Sequence, residues 1–356
     1  MNTLQQYLRP ERIRELSLLL IIVIAVLIFG TQIENFYTFR TFNRISFSVM
    51  IILVVAVGQT LVVLTRNIDL SVGSIVGFTA YAAGNIISQN NDLSPLTILL
   101  IAMAIGAIFG VVNGLLIAYG NIPAIIVTLG TLAIYRGFLV EISGAQSILV
   151  SNLPDWLVDL PRATIFSFGE IEIRVLLVLA IIVVVIFQIV LTYLPFGRRL
   201  YAIGSNPEAA QVAGLPSKRI VFVAYLLCGA LAGLGGFMFL ARFGTITVGA
   251  AVGLELQVVA AVVVGGVNIF GGSGTLMGVL FGSMLIGTLE QSLIRMNVNE
   301  FWKDALLGLF ILLAIASDAL INNRMRNLWS RTRLEQSTHS HDKLVNQEGQ
   351  GHVTKL

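Results

Sequence analysis

Apolar residues gather into ten runs, over residues 16–30, 45–64, 70–88, 96–119, 123–140, 175–194, 220–240, 254–269, 276–293 and 301–319. Most approach roughly 20 residues, the length a helix needs to cross a hydrocarbon core. The pattern predicts an all-α polytopic membrane protein with about ten transmembrane helices. The eighth run is short and is followed by Gly271, Gly272 and Gly274, so a broken or re-entrant segment is expected there. Small residues recur at every fourth position in three places: Gly106, Gly110 and Gly114; Gly229 and Gly233; Gly278 and Gly282. That spacing lets helix backbones approach closely in lipid, and helix packing accounts for it better than contact with a solute.

Composition supports the same class. Of 356 residues, 56% are apolar and only 12% are charged, with a mean hydropathy of +0.88. So few charges cannot cover a globular surface, which excludes a soluble enzyme. The net charge of +3 is spread around the apolar runs. It therefore reports topology and gives no reason to expect a nucleic-acid partner. With both termini on one side, that side carries 14 Lys and Arg, among them Arg9, Arg12, Arg14, Arg66, Arg198, Arg199, Lys218 and Arg219. The opposite side carries seven: Arg40, Arg44, Arg162, Arg174, Arg242, Arg295 and Lys303. The positive-inside rule then puts both termini in the cytoplasm. The first apolar run lacks a small-residue cleavage site and reads as a retained anchor.

The chain offers little catalytic chemistry. Cys228 is the single cysteine, and His339, His341 and His352 all lie in the polar tail, so neither a disulfide nor a metal centre is expected. No H-E-x-x-H, G-x-S-x-G or phosphate-binding loop occurs, and none of Lys218, Lys303, Lys343 and Lys355 follows a glycine-rich strand end. The chain is thus expected to be no enzyme and to need no cofactor, with any ATP hydrolysis on another polypeptide. Four ionisable residues within or beside the runs remain: Asp69, Arg136, Glu255 and Glu290. Intramembrane charges are costly and need a reason. Asp69 precedes the third run and can cap its exposed amides; it can equally line a solute path. Glu255 opens the eighth run in Leu254-Glu255-Leu256-Gln257-Val258, echoing Ile68-Asp69-Leu70-Ser71-Val72. Each acid opens the second helix of a group of four, predicting an inverted repeat of helices 2–5 and 7–10. Asn67, Asp69, Ser71, Glu255 and Glu290 are the candidates for the solute path, although pairing or snorkelling suits Arg136 and Glu290 better than proton transfer.

The connection 195–219 is the most informative polar segment. Asn206 is a good N-cap, Pro207 suits the first helical position, Glu208 favours a helix start and Gly214 is a stop. A short cytoplasmic helix is expected, with Ala209 and Ala210 presenting little side chain. It could dock in a partner's groove or lie as an ordinary helix in the interface.

Several blocks resemble the permease subunits of bacterial ABC importers for ribose and similar sugars. They are Asn67-Ile68-Asp69-Leu70-Ser71-Val72-Gly73-Ser74, Asn113-Gly114, Ile122-Pro123 through Leu132 with Tyr135-Arg136-Gly137, Phe196-Gly197-Arg198 through Gly214, and Gly253-Leu254-Glu255-Leu256. Ala260-Ala261-Val262-Val263-Val264-Gly265-Gly266 and Gly271-Gly272-Ser273-Gly274 complete the series, so the resemblance runs from about residue 45 to 319. Within the family, Leu64-Thr65-Arg66-Asn67-Ile68-Asp69 and Asn299-Glu300-Phe301-Trp302-Lys303-Asp304 look closer to autoinducer-2 and rhamnose permeases. Arg66-Asn67 stands where many ribose-type members have Gly-Gly, and Gln257 where many have Asp.

The resemblance implies a permease in the bacterial inner membrane, with residues 16–319 as the transmembrane domain between a cytoplasmic segment 1–15 and a cytoplasmic tail 320–356. It implies an external solute-binding protein and a second permease subunit, identical or different. It also implies a separate ATP-binding ABC subunit that grips Gly197, Arg198, Asn206, Glu208, Ala209, Ala210 and Gly214. The alternative class is a secondary transporter driven by an ion gradient, which would share the inverted repeat and the midplane carboxylates.

Overall fold

Side-chain caps set several of the helix starts in the computed structural model, which describes residues 10–168, 171–299, 302, 305, 306, 308, 309 and 312. Helix α1 spans Pro10–Gln32. Helix α2, Phe39–Val63, is capped by the Thr38 hydroxyl, which accepts the Thr41 N–H. Helix α3 covers Val72–Gln89. Helix α4, Pro95–Gly114, starts under a Ser94 cap with proline in its first turn and runs into a π-helical turn, Leu115–Tyr119. Helix α5, Ala124–Ser143, ends at Gly144 in the left-handed region (φ +54°).

A polar segment then carries the short α6, Asp155–Asp159, and an antiparallel hairpin of β1, Thr164–Phe168, and β2, Ile171–Arg174. Helix α7 (Val175–Tyr193) leads through α8 (Pro195–Ser205) and α9 (Pro207–Val212) into the long α10 (Ser217–Phe243). Helix α11, Leu254–Val264, and helix α12, Leu276–Arg295, follow, the latter capped by Thr275 through the Gly278 N–H.

Among the described residues seven helices are long and apolar enough to cross a membrane: α1, α2, α4 with its π-turn, α5, α7, α10 and α12. Helices α3 and α11 do not meet that measure. The eighth apolar run is helical only to Val264, and 11 residues at 1.5 Å each give about 16 Å, half a hydrocarbon core. Gly265 and Gly266 end it, and Gly266, Gly271, Gly272 and Gly274 all take positive φ in the return to α12. The tenth run, 301–319, and the tail, 320–356, lie outside the described residues except for a few helical positions up to 312.

Burial separates a core from a rim. The α2 window is 83% buried and those of α10 and α12 are 67%, whereas α1 is 11% and α4, α5 and α7 are 28%. Helix α10 packs on α4, α2 and α3; α12 packs on α2, α11 and α1. The fourfold-spaced glycines form the tightest seams. A Cβ at Gly106 would fall on the Gly229 carbonyl, one at Gly110 on that of Tyr225, and one at Gly233 on that of Ala102. Gly278 and Gly282 meet the carbonyls of Gly265 and Ala261 in the same way. Backbone contact of this kind needs residues without side chains, so these stripes are packing surfaces.

Candidate functional site

Between α2 and α3 the chain turns inward and buries Asp69 completely. Its Oδ1 accepts the Ser71 N–H at 2.9 Å and the Ser71 hydroxyl at 2.6 Å. Asn113 on α4 donates to the Ser71 Oγ at 2.8 Å and toward the Asp69 Oδ2 at 3.4 Å. The Tyr135 hydroxyl on α5 reaches the Asn113 Oδ1 at 3.1 Å, and the Gln59 side-chain amide on α2, assigned with its NH2 toward the Asp69 carbonyl so that its oxygen faces the Asp69 N–H, pairs with both backbone groups of Asp69. Tyr225 on α10 donates to the Ile68 carbonyl at 3.3 Å. Asp69 thus satisfies the first free amide ahead of α3 and ties five elements together; Ser71 at the N-cap makes no side-chain cap of its own. Asn67 turns back on Thr65, donating to its carbonyl at 2.9 Å and its hydroxyl at 3.0 Å.

Glu255 sits in the first turn of α11 and lies against the first turn of α3. Its Oε1 accepts the Gly253 N–H at 3.2 Å, and its Oε2 is buried without a hydrogen-bond partner at the point where a Gly73 Cβ would stand. One helix turn on, Gly77 leaves room for Ala250, whose carbonyl accepts from Arg136 at 2.6 Å. Arg136 and Glu255 attract each other across this junction. The two acids that echo in sequence therefore flank one place, where the N-terminal ends of α3 and α11 meet. Two positive helix ends facing each other favour a carboxylate between them.

Above this junction, Ala250, Ala251 and Leu254 form one wall of a cavity of about 320 Å³ between α2, α10, α11, α12 and the connection 244–253. Ser48, Arg242, Thr247, Gln257 and Glu290 give it polar groups. Arg242 is held by the Phe47 carbonyl at 2.8 Å and the Ser48 hydroxyl at 3.2 Å, and it attracts Glu290. Glu290 is the one sequence candidate on this lining; Asn67, Asp69, Ser71 and Glu255 are not on it. Arg242, Ser48 and Gln257 escaped sequence reasoning. Arg242 reads as a loop cation on sequence alone, yet it occupies the last turn of α10. Asn113 and Gln59 had a signal: each is a lone amide in a long apolar run.

In the connection after α7, Asn206 caps α9 by accepting the Ala209 N–H at 2.9 Å, Pro207 and Glu208 occupy the first turn, and Gly214 follows at φ +72°. Gly197 is buried, because a Cβ there would strike the Leu191 backbone, and Arg198 donates to the Tyr193 carbonyl at 3.2 Å. One expectation is corrected. Ala210 is 4% exposed and packs inward, so it cannot present a docking face. The six-residue helix turns Glu208, Ala209, Gln211 and Val212 outward instead, with Val212 90% exposed.

The profile of the family described as branched-chain amino acid transport system / permease component matches residues 41–315. The chain is 34% identical over 305 residues to the autoinducer 2 import system permease protein LsrC of Yersinia pseudotuberculosis serotype O:1b, covering 86% of this chain and 84% of that protein. It is 33% identical over 314 residues to LsrC of Yersinia enterocolitica serotype O:8, covering 88% and 85%. Against LsrC of Yersinia pestis strain Angola the identity is 34% over 306 residues, covering 86% and 84%. No solved structure matches the chain.

Proposed function

The chain belongs to the family of branched-chain amino acid transport system permease components, and from that premise we propose that it is the membrane permease of an ATP-driven importer for autoinducer 2 or a related sugar-like solute such as rhamnose or ribose. The observation that carries the solute class is the one-third identity, over 86% of the chain, to permeases named for autoinducer 2 import. In this reading the protein is a multi-pass component of the bacterial inner membrane with about ten helices and with both termini in the cytoplasm. Helices 2–5 and 7–10 form an inverted repeat. The meeting of the α3 and α11 ends, each introduced by an acid, supports that symmetry.

The solute, released by an external binding protein, enters the cavity at Arg242 and Glu290, whose fixed donors and acceptors suit hydroxyl groups. Its wall at Ala250–Leu254 rests on Gly73 and Gly77, so parting α3 from α11 opens the way inward past Glu255 and Arg136. Asp69 and Ser71 hold the start of α3, and Asn67 lies toward the inner mouth. A separate ATP-binding subunit grips α9 from the cytoplasm, and its closure biases the permease between two access states. A second permease subunit lies against the exposed apolar rim.

Uptake into proteoliposomes tests this directly. The permease, reconstituted with its ATP-binding subunit and solute-binding protein, should accumulate autoinducer 2 only with ATP on the side of the membrane that the ATP-binding subunit faces. The permease alone should hydrolyse no ATP. Accumulation without the ATP-binding subunit, driven by a proton or sodium gradient, would replace this reading with the secondary transporter.

A further inference from the structure

We propose that Arg66 is a positioning residue that transmits movement of α9 to the start of α3, so that it sets how much solute moves per ATP. This inference rests on the importer reading above. Arg66 lies three residues past the end of α2 and three before Asp69. Its Nε donates to the Gly204 carbonyl at 2.6 Å and its Nη2 to the Ser205 carbonyl at 2.9 Å. Those two carbonyls belong to the last turn of α8, where a helix offers its carbonyls no N–H donors of its own, and a guanidinium fork satisfies both with charge-assisted bonds. The next residue, Asn206, caps α9. Arg66 therefore grips the elbow between the two helices of the segment that a cytoplasmic motor would push.

A third strand of chain completes the clasp. The Gly272 N–H donates to the Leu64 carbonyl at 3.1 Å, the Ser205 hydroxyl to the Gly272 carbonyl at 3.3 Å, and the Tyr201 hydroxyl to the Gly274 carbonyl at 2.9 Å. Gly204 is so tightly enclosed that a Cβ would fall on the Leu64 carbonyl. Residues 64–66, 201–205 and 271–274 thus form one unit. The first leads through Asp69 into α3, and the last leads from α11 into α12. A displacement of α9 reaches the start of α3 and the connection from α11 to α12 through bonds, without needing any movement of the long helices between them.

The backbone of Arg66 strengthens the case. Its φ is +66°, in the left-handed region where glycine is comfortable and a long side chain is strained. A residue needed only to turn the chain here would be served by glycine; the side chain is retained for its two bonds.

That strain also supplies the test. Arg66→Gly removes both bonds while easing the backbone, so the variant should fold and should bind the ATP-binding subunit. Arg66→Lys keeps a donor but loses the fork. In proteoliposomes with the complete importer, both uptake of autoinducer 2 and ATP hydrolysis are measured. Arg66→Gly should lower solute moved per ATP by about tenfold while ATP hydrolysis stays within about twofold, and Arg66→Lys should fall between it and the wild type. Tyr201→Phe, which removes a single hydroxyl from the clasp, should shift the same ratio in the same direction. A wild-type-like ratio in both Arg66→Gly and Tyr201→Phe would overturn the inference. Failure of the wild-type chain to show ATP-dependent uptake would instead overturn the importer reading.

Discussion

Asn113 is uncharged and faces none of the walls of the Arg242 cavity, yet it touches Ser71, Asp69 and Tyr135 at once. Replacing it with leucine, close in size, would leave the Asp69 Oδ2 short of a partner in a fully enclosed place, while the Tyr135 hydroxyl keeps the Phe109 carbonyl at 3.2 Å. An orphaned buried polar group costs about 1–3 kcal/mol, and a carboxylate lies at the upper end. Asn113→Leu should therefore lower the thermal midpoint of the purified permease more than a cavity change such as Glu290→Gln, which leaves that network intact. Equal midpoints for the two variants would mean that the Asp69 network contributes little. Asp69 illustrates what a sequence shows at this scale. An acid ahead of an apolar run announces a helix start or a solute contact, and only the positions of Gln59, Asn113 and Tyr135, drawn from three other helices, reveal that its carboxylate is enclosed.

Among the elements, the α4–α10 seam is the least forgiving. Gly229 faces the backbone of Gly106 and Gly110, with a Cβ at Gly229 coming within 2.7 Å of the Gly110 Cα. No rotamer can relieve a clash with backbone, so Gly229→Val should force the helices apart at the upper end of the about 1–3 kcal/mol typical of overpacking, or beyond it. Gly130→Ala on α5, where a Cβ meets nothing within 4 Å, is the matched control and should be neutral. Monodispersity in detergent after mild heating reads both; an intact Gly229→Val would show the seam to be looser than its geometry. This seam was legible in advance because the fourfold spacing of glycine is itself the packing code. The α9 boundaries were legible for a similar reason, since Asn206, Pro207 and Gly214 act locally. What could not be read was which face of α9 turns inward, because Ala209 and Ala210 differ only in what α8 and α10 place beside them. The hairpin of β1 and β2 also went unforeseen, its few apolar residues being too short a signal beside the membrane runs.

At the scale of the whole molecule, the importer reading requires a surface that belongs to no internal contact. Val212 is such a surface, a 90% exposed valine on a polar connection. Val212→Glu should leave folding unchanged, since the described residues leave this side chain almost fully exposed. Burying a valine at an interface contributes about 1.5–3 kcal/mol, so the variant should bind the ATP-binding subunit at least about tenfold more weakly. Co-purification of the two subunits measures this, and wild-type recovery would move the docking contact elsewhere. Ala210→Glu, by contrast, should disturb the elbow itself. Helices α3 and α11 have a different bearing on the molecule, through its birth in the bilayer. Helix α3 lacks the hydropathy to partition into lipid on its own, and α11 lacks the length, yet both are largely buried among neighbours. Neither can be stably inserted as it leaves the ribosome. Helix α3 must wait at the interface, or in the insertion machinery, until α10 has been synthesised to receive it, and α11 until α12, its main neighbour, has followed it. The chain is therefore threaded into the membrane out of order, and a nascent chain ending soon after Gln89 should leave α3 within reach of a water-soluble glycosylation probe that the finished protein excludes.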